Sequence, residues 1–162
     1  DAIEQVKGAV LLIVGNGDAV PKLKATVEQR GMHNKVIFVP KMPYAELLSF
    51  TRAADVGLSL DKPTSINYMY SLPNKLFDYI HSDLPVLTSK VIEVKRIVET
   101  HEVGLTVDSS RVDELRNGMM KMMKAGRASF EPGLKKAKSE LTWEREREVL
   151  ERVLSQLINS QK

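Results

Sequence analysis

The stretch AVLLIVGNGDAVPKLKATV, residues 9–27, decides the architecture. Its first six residues are wholly apolar, the pattern of a strand buried on both faces, and Gly15-Asn16-Gly17 ends the run. Asp18 stands where a helix N-cap is expected, and Val20, Leu23 and Val27 then fall on one helical face. A strand, a glycine turn and a helix in that order form one β-α unit. The unit recurs along the chain. Residues 36–39 read as a second strand, followed by Pro43 at a helix start with Leu47, Leu48 and Phe50 turned inward. Residues 56–60 are a third strand, leading through a long loop, 61–72, to a helix that opens at Pro73 and buries Leu76, Phe77 and Ile80. Residues 85–88, a helix over 91–99 and residues 104–107 continue the alternation.

Val112, Leu115, Met119 and Met122 mark a further amphipathic helix, its methionines read as core filler. Helices over 133–141 and 143–159 close the chain, the last with Trp143, Leu150, Leu154 and Leu157 on one stripe. That stripe is expected to be incompletely covered within this chain. Successive β-α units with right-handed crossovers predict an α/β fold: one Rossmann-like parallel sheet with helices on both faces. No internal repeat or low-complexity linker divides it, so residues 1–162 read as a single domain with 143–159 as its closing helix.

Composition agrees. The 162 residues are 43% hydrophobic and 28% charged, an ordinary globular balance for one domain. There is no cysteine, which excludes disulfides and thiolate metal sites and suits a reducing, cytoplasmic setting. The longest apolar run, 9–14, is far too short to span a bilayer, and no signal-peptide pattern opens the chain. Because the chain begins with Asp1 rather than Met, it reads as a piece of a longer protein. The net charge of +3 and a pI near 9.1 suit small polyanions or an anionic membrane surface. Nucleic acid is disfavoured, since the basic residues are scattered and aromatics are few.

In parallel α/β sheets ligands bind beyond the carboxyl ends of the strands, so the informative residues should follow strands. Gly15 and Gly17 let the backbone approach a ligand, and the helix start offers unpaired N–H groups to an anion. The dinucleotide fingerprint fails, because Val20 holds the third glycine position. No Gly-Lys-Ser/Thr follows either, so it is not a P-loop. A plain tight turn explains the pair equally well. The second candidate is SLPNKLFDYI, residues 71–80. Pro73 fixes the helix start, the amides of Asn74, Lys75 and Leu76 are expected to be free, and Lys75 adds a full charge to the helix's partial one. That combination suits a diphosphate. Asp78, one turn on, has two oxygens to accept from a ribose diol. A surface helix with a solvated lysine and an aspartate placed for the dipole explains the same residues equally well.

Taken in order, LLIVGNG (11–17), NKVIFVPKMPYAELLSFTRAADVGLSL (34–60), SLPNKLFDYIHSDLPVLTS (71–89), ETHEVGLTVD (99–108) and LTWERE (141–146) resemble the C-terminal, donor-nucleotide-binding half of GT-B glycosyltransferases, group 1, family 4. The resemblance runs from about Val10 to the C-terminus. It implies that the glycine loop falls on Gly15 and Gly17, and that main-chain groups of Lys41 and Met42 read the nucleobase. It puts Leu72, Pro73, Asn74 and Lys75, with Ser71 beside them, at the phosphates and Asp78 at the ribose. The family's first glutamate, a donor-sugar contact, falls on Tyr70, whose phenol can still hydrogen-bond a hydroxyl. The resemblance also adds two parts not found here: an N-terminal acceptor domain, and a central first strand whose loop supplies basic residues for the diphosphate. Without that strand the visible order becomes 2-1-3-4-5.

The implied function is the donor half of a retaining glycosyltransferase using a UDP- or GDP-linked sugar. Its products would be polysaccharide, glycolipid or glycan, made in the cytoplasm or at the inner membrane face. This piece is expected to bind donor without turning it over. No cofactor or metal is required: there is no Asp-x-Asp motif, and His33, His81 and His101 read as surface or helix-end residues. Asp61 and Asp108 each follow a strand as turn or cap residues. Two other readings remain. A sugar-nucleotide 2-epimerase of the same architecture would need acidic and histidine groups near Tyr70. A flavodoxin-like or receiver module would need aromatic walls or an acidic cluster after the first strand.

Overall fold

A computed structural model describes residues 1–62 and 65–159; Pro63 and Thr64, in the expected loop 61–72, lie outside the described residues. After a 3-10 turn at Ala2–Gln5 come β1 (Leu11–Val14), α1 (Ala19–Gln29), β2 (Val36–Val39), α2 (Tyr44–Ala53) and β3 (Gly57–Ser59). They are followed by α3 (Ile66–Met69), α4 (Asn74–His81), β4 (Val86–Ser89), α5 (Ile92–His101) and β5 (Gly104–Val107). The chain closes with α6 (Val112–Ala125), a 3-10 turn at Arg127–Phe130, α7 (Glu131–Glu140) and α8 (Trp143–Asn159). The short α3 was not expected within the loop. Ser65 starts it by accepting from the Tyr68 N–H.

All strand pairs are parallel. Leu11 to Val14 register with Val36 to Val39, Gly57 with Val86, and Val86 with Gly104. The expected neighbours 2-1 and 3-4-5 both form, but as two sheets: β1 and β3 share no ladder, and β3 is an edge strand. The expectation of one continuous sheet is corrected to that extent. The break falls where the resemblance inserts its extra strand. Strands spaced for a third between them would stand roughly twice the ~4.8 Å of a paired neighbour, beyond hydrogen-bond reach.

β4 is the centre of the core. All four of its residues are buried, and alternation sends Val86 and Leu87 to opposite faces. On one face Val86 meets Leu76 and Ile80 of α4, Val94 and Val98 of α5, and Leu134 of α7. On the other, Leu87 and Val107 meet Met122 of α6, so this methionine is core filler as expected. A separate cluster lies against β1 and β2, where Leu11, Ile13 and Phe38 pack on Ile3, Val6, Val27, Met32 and Val36. The opposite face of this pair is open: the register partners Leu12 and Ile37 are 40% and 47% exposed.

Two side chains read from the sequence as facing inward do not do so. Leu23 is exposed, and so is Phe50 on α2, a helix with no fully buried residue. The stripe of α8 is uncovered as expected, with Leu150, Leu154 and Leu157 all about half exposed or more. Asp18 does precede α1, but its side chain makes no cap bond because its own backbone is already helical.

Candidate functional site

The carboxyl ends of β1 and β2 open on the glycine loop. Gly15 has φ +124°, a backbone conformation that L side chains rarely adopt, and a cavity of about 310 Å³ lies beside it. Gly15, Gly17, Val20, Lys24, Phe38 and Pro40 are among its walls. A second cavity, about 280 Å³, is lined by Val14, Gly15, Lys41, Met42, Tyr44 and Leu47. Gly15 is common to both. The first is at the lower end of the range for small-molecule sites and the second just below it. The Lys41 N–H donates to Asn16 Oδ1 at 3.3 Å, tying the segment after β2 to the loop after β1.

The second half of the site is the start of α4. Pro73 is its N-cap, with extended backbone, and the helix proper begins at Asn74. Of the three first-turn amides expected to be free, Leu76 N–H donates to Pro73 O at 3.0 Å, a 3-10-type bond that tightens the turn. The amides of Asn74 and Lys75 have no partner among the described residues. The helix is held by Leu76 and Ile80, both fully buried, and by Tyr79 lying over β3. Gly57 makes that contact possible, since a Cβ there would stand 2.5 Å from the Tyr79 ring.

Two contacts fix the polar side chains of α4. Lys75 Nζ lies 3.1 and 3.0 Å from the two oxygens of Asp61, just beyond β3. Tyr44 Oη, at the start of α2, donates to Asp78 Oδ1 at 2.5 Å. Donating that bond to a carboxylate stabilises the protonated phenol, so Tyr44 ionises above the ordinary phenol range. Tyr79 is pushed up as well, first by burial and then by the Asp78 and Asp61 carboxylates.

The residues predicted from the sequence are therefore brought together unequally. Gly15, Lys41 and Met42 line one cavity, and Tyr44 links that wall to Asp78, one turn from Lys75. Tyr70, Ser71 and Leu72 are not tied to this group: Tyr70 is the exposed C-cap of α3, Leu72 is exposed, and Ser71 Oγ donates locally to Tyr68 O. Sequence reasoning missed Tyr44 and took Asp61 for a turn residue. Asp108 does act as a turn residue, accepting from Ser110 N–H and Oγ. His81 ends α4 beside Leu141 O, and exposed His33 lies near Glu28. His101 ends α5 but is buried, with Nδ1 3.6 Å from Glu140. Among the described residues no group of three or more His, Asp and Glu side chains could hold a metal ion. No described helix is long and apolar enough to cross a membrane.

Residues 1–137 match the family described as glycosyl transferases, group 1. The fold is similar to sucrose-phosphate synthase from Thermosynechococcus elongatus, with a TM-score of 0.76 and 18% identity over 98% of this chain and 41% of that one. It is also similar to WaaG, a glycosyltransferase involved in lipopolysaccharide biosynthesis, with a TM-score of 0.58 and 19% identity over 80% and 33% of the two chains. The chain thus spans well under half the length of either solved structure. No curated protein sequence matches at a significant level.

Proposed function

Because this chain belongs to the group 1 glycosyl transferases, we propose that it is the donor-binding half of an enzyme that moves a sugar from a nucleoside-diphosphate sugar to an acceptor hydroxyl. One observation carries the reading. Hydrogen bonds join the glycine loop to Lys41, and Tyr44 to Asp78, so a connected surface runs from the cavity at Met42 to the start of α4. A nucleotide lies along it with its base at Lys41 and Met42, its ribose at Asp78 and its diphosphate at Lys75 and the amides of Asn74 and Lys75. Positive charge and a helix N-terminus converge at the diphosphate end.

In the transfer the bond from the anomeric carbon to the diphosphate oxygen breaks, and its electron pair leaves with the diphosphate. The acceptor oxygen bonds the carbon, and its proton passes to the departing diphosphate oxygen. Lys75 and the α4 amides stabilise the charge that grows on the leaving oxygen. The acceptor and the groups that bind it belong to a further domain, and a separate strand of this same half fills the break between β1 and β3. By itself this half binds donor without turnover. The setting we propose is cytoplasmic synthesis of a polysaccharide, glycolipid or glycan, with retention at the anomeric carbon.

Saturation-transfer NMR against UDP, GDP, ADP and FMN tests the ligand class: signal from a nucleoside diphosphate and none from FMN is expected. Asp78→Asn should weaken nucleoside and nucleoside diphosphate alike, by roughly three- to thirtyfold, because both carry the ribose. Calorimetric titration checks this, and a loss confined to the diphosphate would contradict the ribose role.

A further inference from the structure

Asp61 is held more firmly than a turn residue needs to be. Its Oδ2 accepts from Ser59 Oγ at 3.0 Å, and its main-chain oxygen accepts from Ser89 Oγ at 2.6 Å. Both serines are almost fully buried, at the carboxyl ends of the adjacent strands β3 and β4. The sheet thus fixes a carboxylate whose two oxygens both face the Lys75 ammonium. A lysine on a flexible four-carbon stem would otherwise sample many positions. The pair is part-exposed, 41% for Lys75 and 28% for Asp61, so an incoming anion can reach the ammonium.

The arrangement has an electrostatic consequence for the proposed reaction, and the argument rests on that proposal. A donor sugar nucleotide carries two negative charges on its diphosphate. The released nucleoside diphosphate ends in a free phosphate whose second ionisation lies near pH 6, so at neutral pH it carries nearly three. A fixed carboxylate beside the lysine repels the extra charge. We infer that Asp61 is a specificity-determining counter-charge: it orients Lys75 towards the diphosphate while disfavouring the more highly charged product, so that donor is retained and product released.

Asp61→Asn tests the charge alone, because the amide keeps an acceptor oxygen for Lys75. Binding of UDP and UDP-glucose, and of GDP and GDP-mannose, is measured by calorimetry at pH 7.5 for the chain and the variant. The variant should bind the free diphosphate about three- to tenfold more tightly, with less change for the sugar-linked partner. The difference should shrink at high salt. Asp61→Ala, which removes the carboxylate altogether, should shift the ratio in the same direction, and thermal unfolding verifies that both variants fold. An unchanged ratio of diphosphate to sugar-nucleotide affinity, or weaker diphosphate binding in both folded variants, overturns the role of Asp61. Failure of the underlying reading looks different: Lys75→Ala would then leave all four affinities untouched.

Discussion

Lys75→Ala should weaken nucleoside diphosphate binding by roughly ten- to a hundredfold and leave the free nucleoside nearly unaffected. A charge-assisted hydrogen bond to phosphate is worth about 1.5–3 kcal/mol, which sets the scale. Two features of the structure place the effect towards the larger end. Lys75 is the counter-ion of Asp61, so its removal leaves an uncompensated carboxylate where the diphosphate is to sit. The start of α4 is also short of other positive charge, since no acidic or basic residue but Lys75 lies in its first turn. Binding should not vanish, because the Asn74 amide and the helix dipole remain. Titration of the chain and the variant with UDP and uridine, or GDP and guanosine, gives the four affinities required. Equal losses for nucleoside and diphosphate would mean that Lys75 serves the helix and not the phosphate.

Leu76→Ala should cost about 2–5 kcal/mol of stability, the range for emptying a leucine site in a packed core. Leu76 is fully buried and lies between β4, α5 and α7 in the largest apolar cluster. It is also the residue next to Lys75, so it seats the binding end of α4 on the sheet. A chain of this length should lose roughly 4–20 °C in its unfolding midpoint. The control is Leu150→Ala on the uncovered stripe of α8, about half exposed, where the loss should be within about 0.5 kcal/mol. Thermal unfolding followed by circular dichroism measures both. Comparable losses at the two positions would contradict the placement of the core.

Local chemistry was legible from the residues. β5 and α8 have the bounds their patterns predict, whereas the apolar run read as a buried strand, β1, has one open face with Leu12 exposed. Errors arose where packing overrode pattern. Val10 continues the apolar run before β1, yet it is exposed, since the ladder begins at Leu11 bonding Lys35 O. Phe50 has the spacing of a core residue, yet it is exposed on a helix with no fully buried residue. The first-turn amide of Leu76 was spent locally on Pro73. The pairs that organise the site were the least legible. Tyr44 meets Asp78 across 34 positions and Lys75 meets Asp61 across 14, and a single sequence carries no record of such partners. Tyr44 follows Met42 by two positions, so its place beside the predicted base wall was within reach. Its bond to Asp78 was not.

Backbone amide NMR during titration tests the central claim most directly, because it reports the helix start itself without any substitution. Adding UDP or GDP should shift the amide resonances of Asn74 and Lys75 together with those of Gly15 and Met42. Uridine or guanosine should shift Met42 and Asp78 but leave Asn74 and Lys75 in place. Diphosphate binding that moves neither Asn74 nor Lys75 would contradict the assignment of α4 as the phosphate-binding helix.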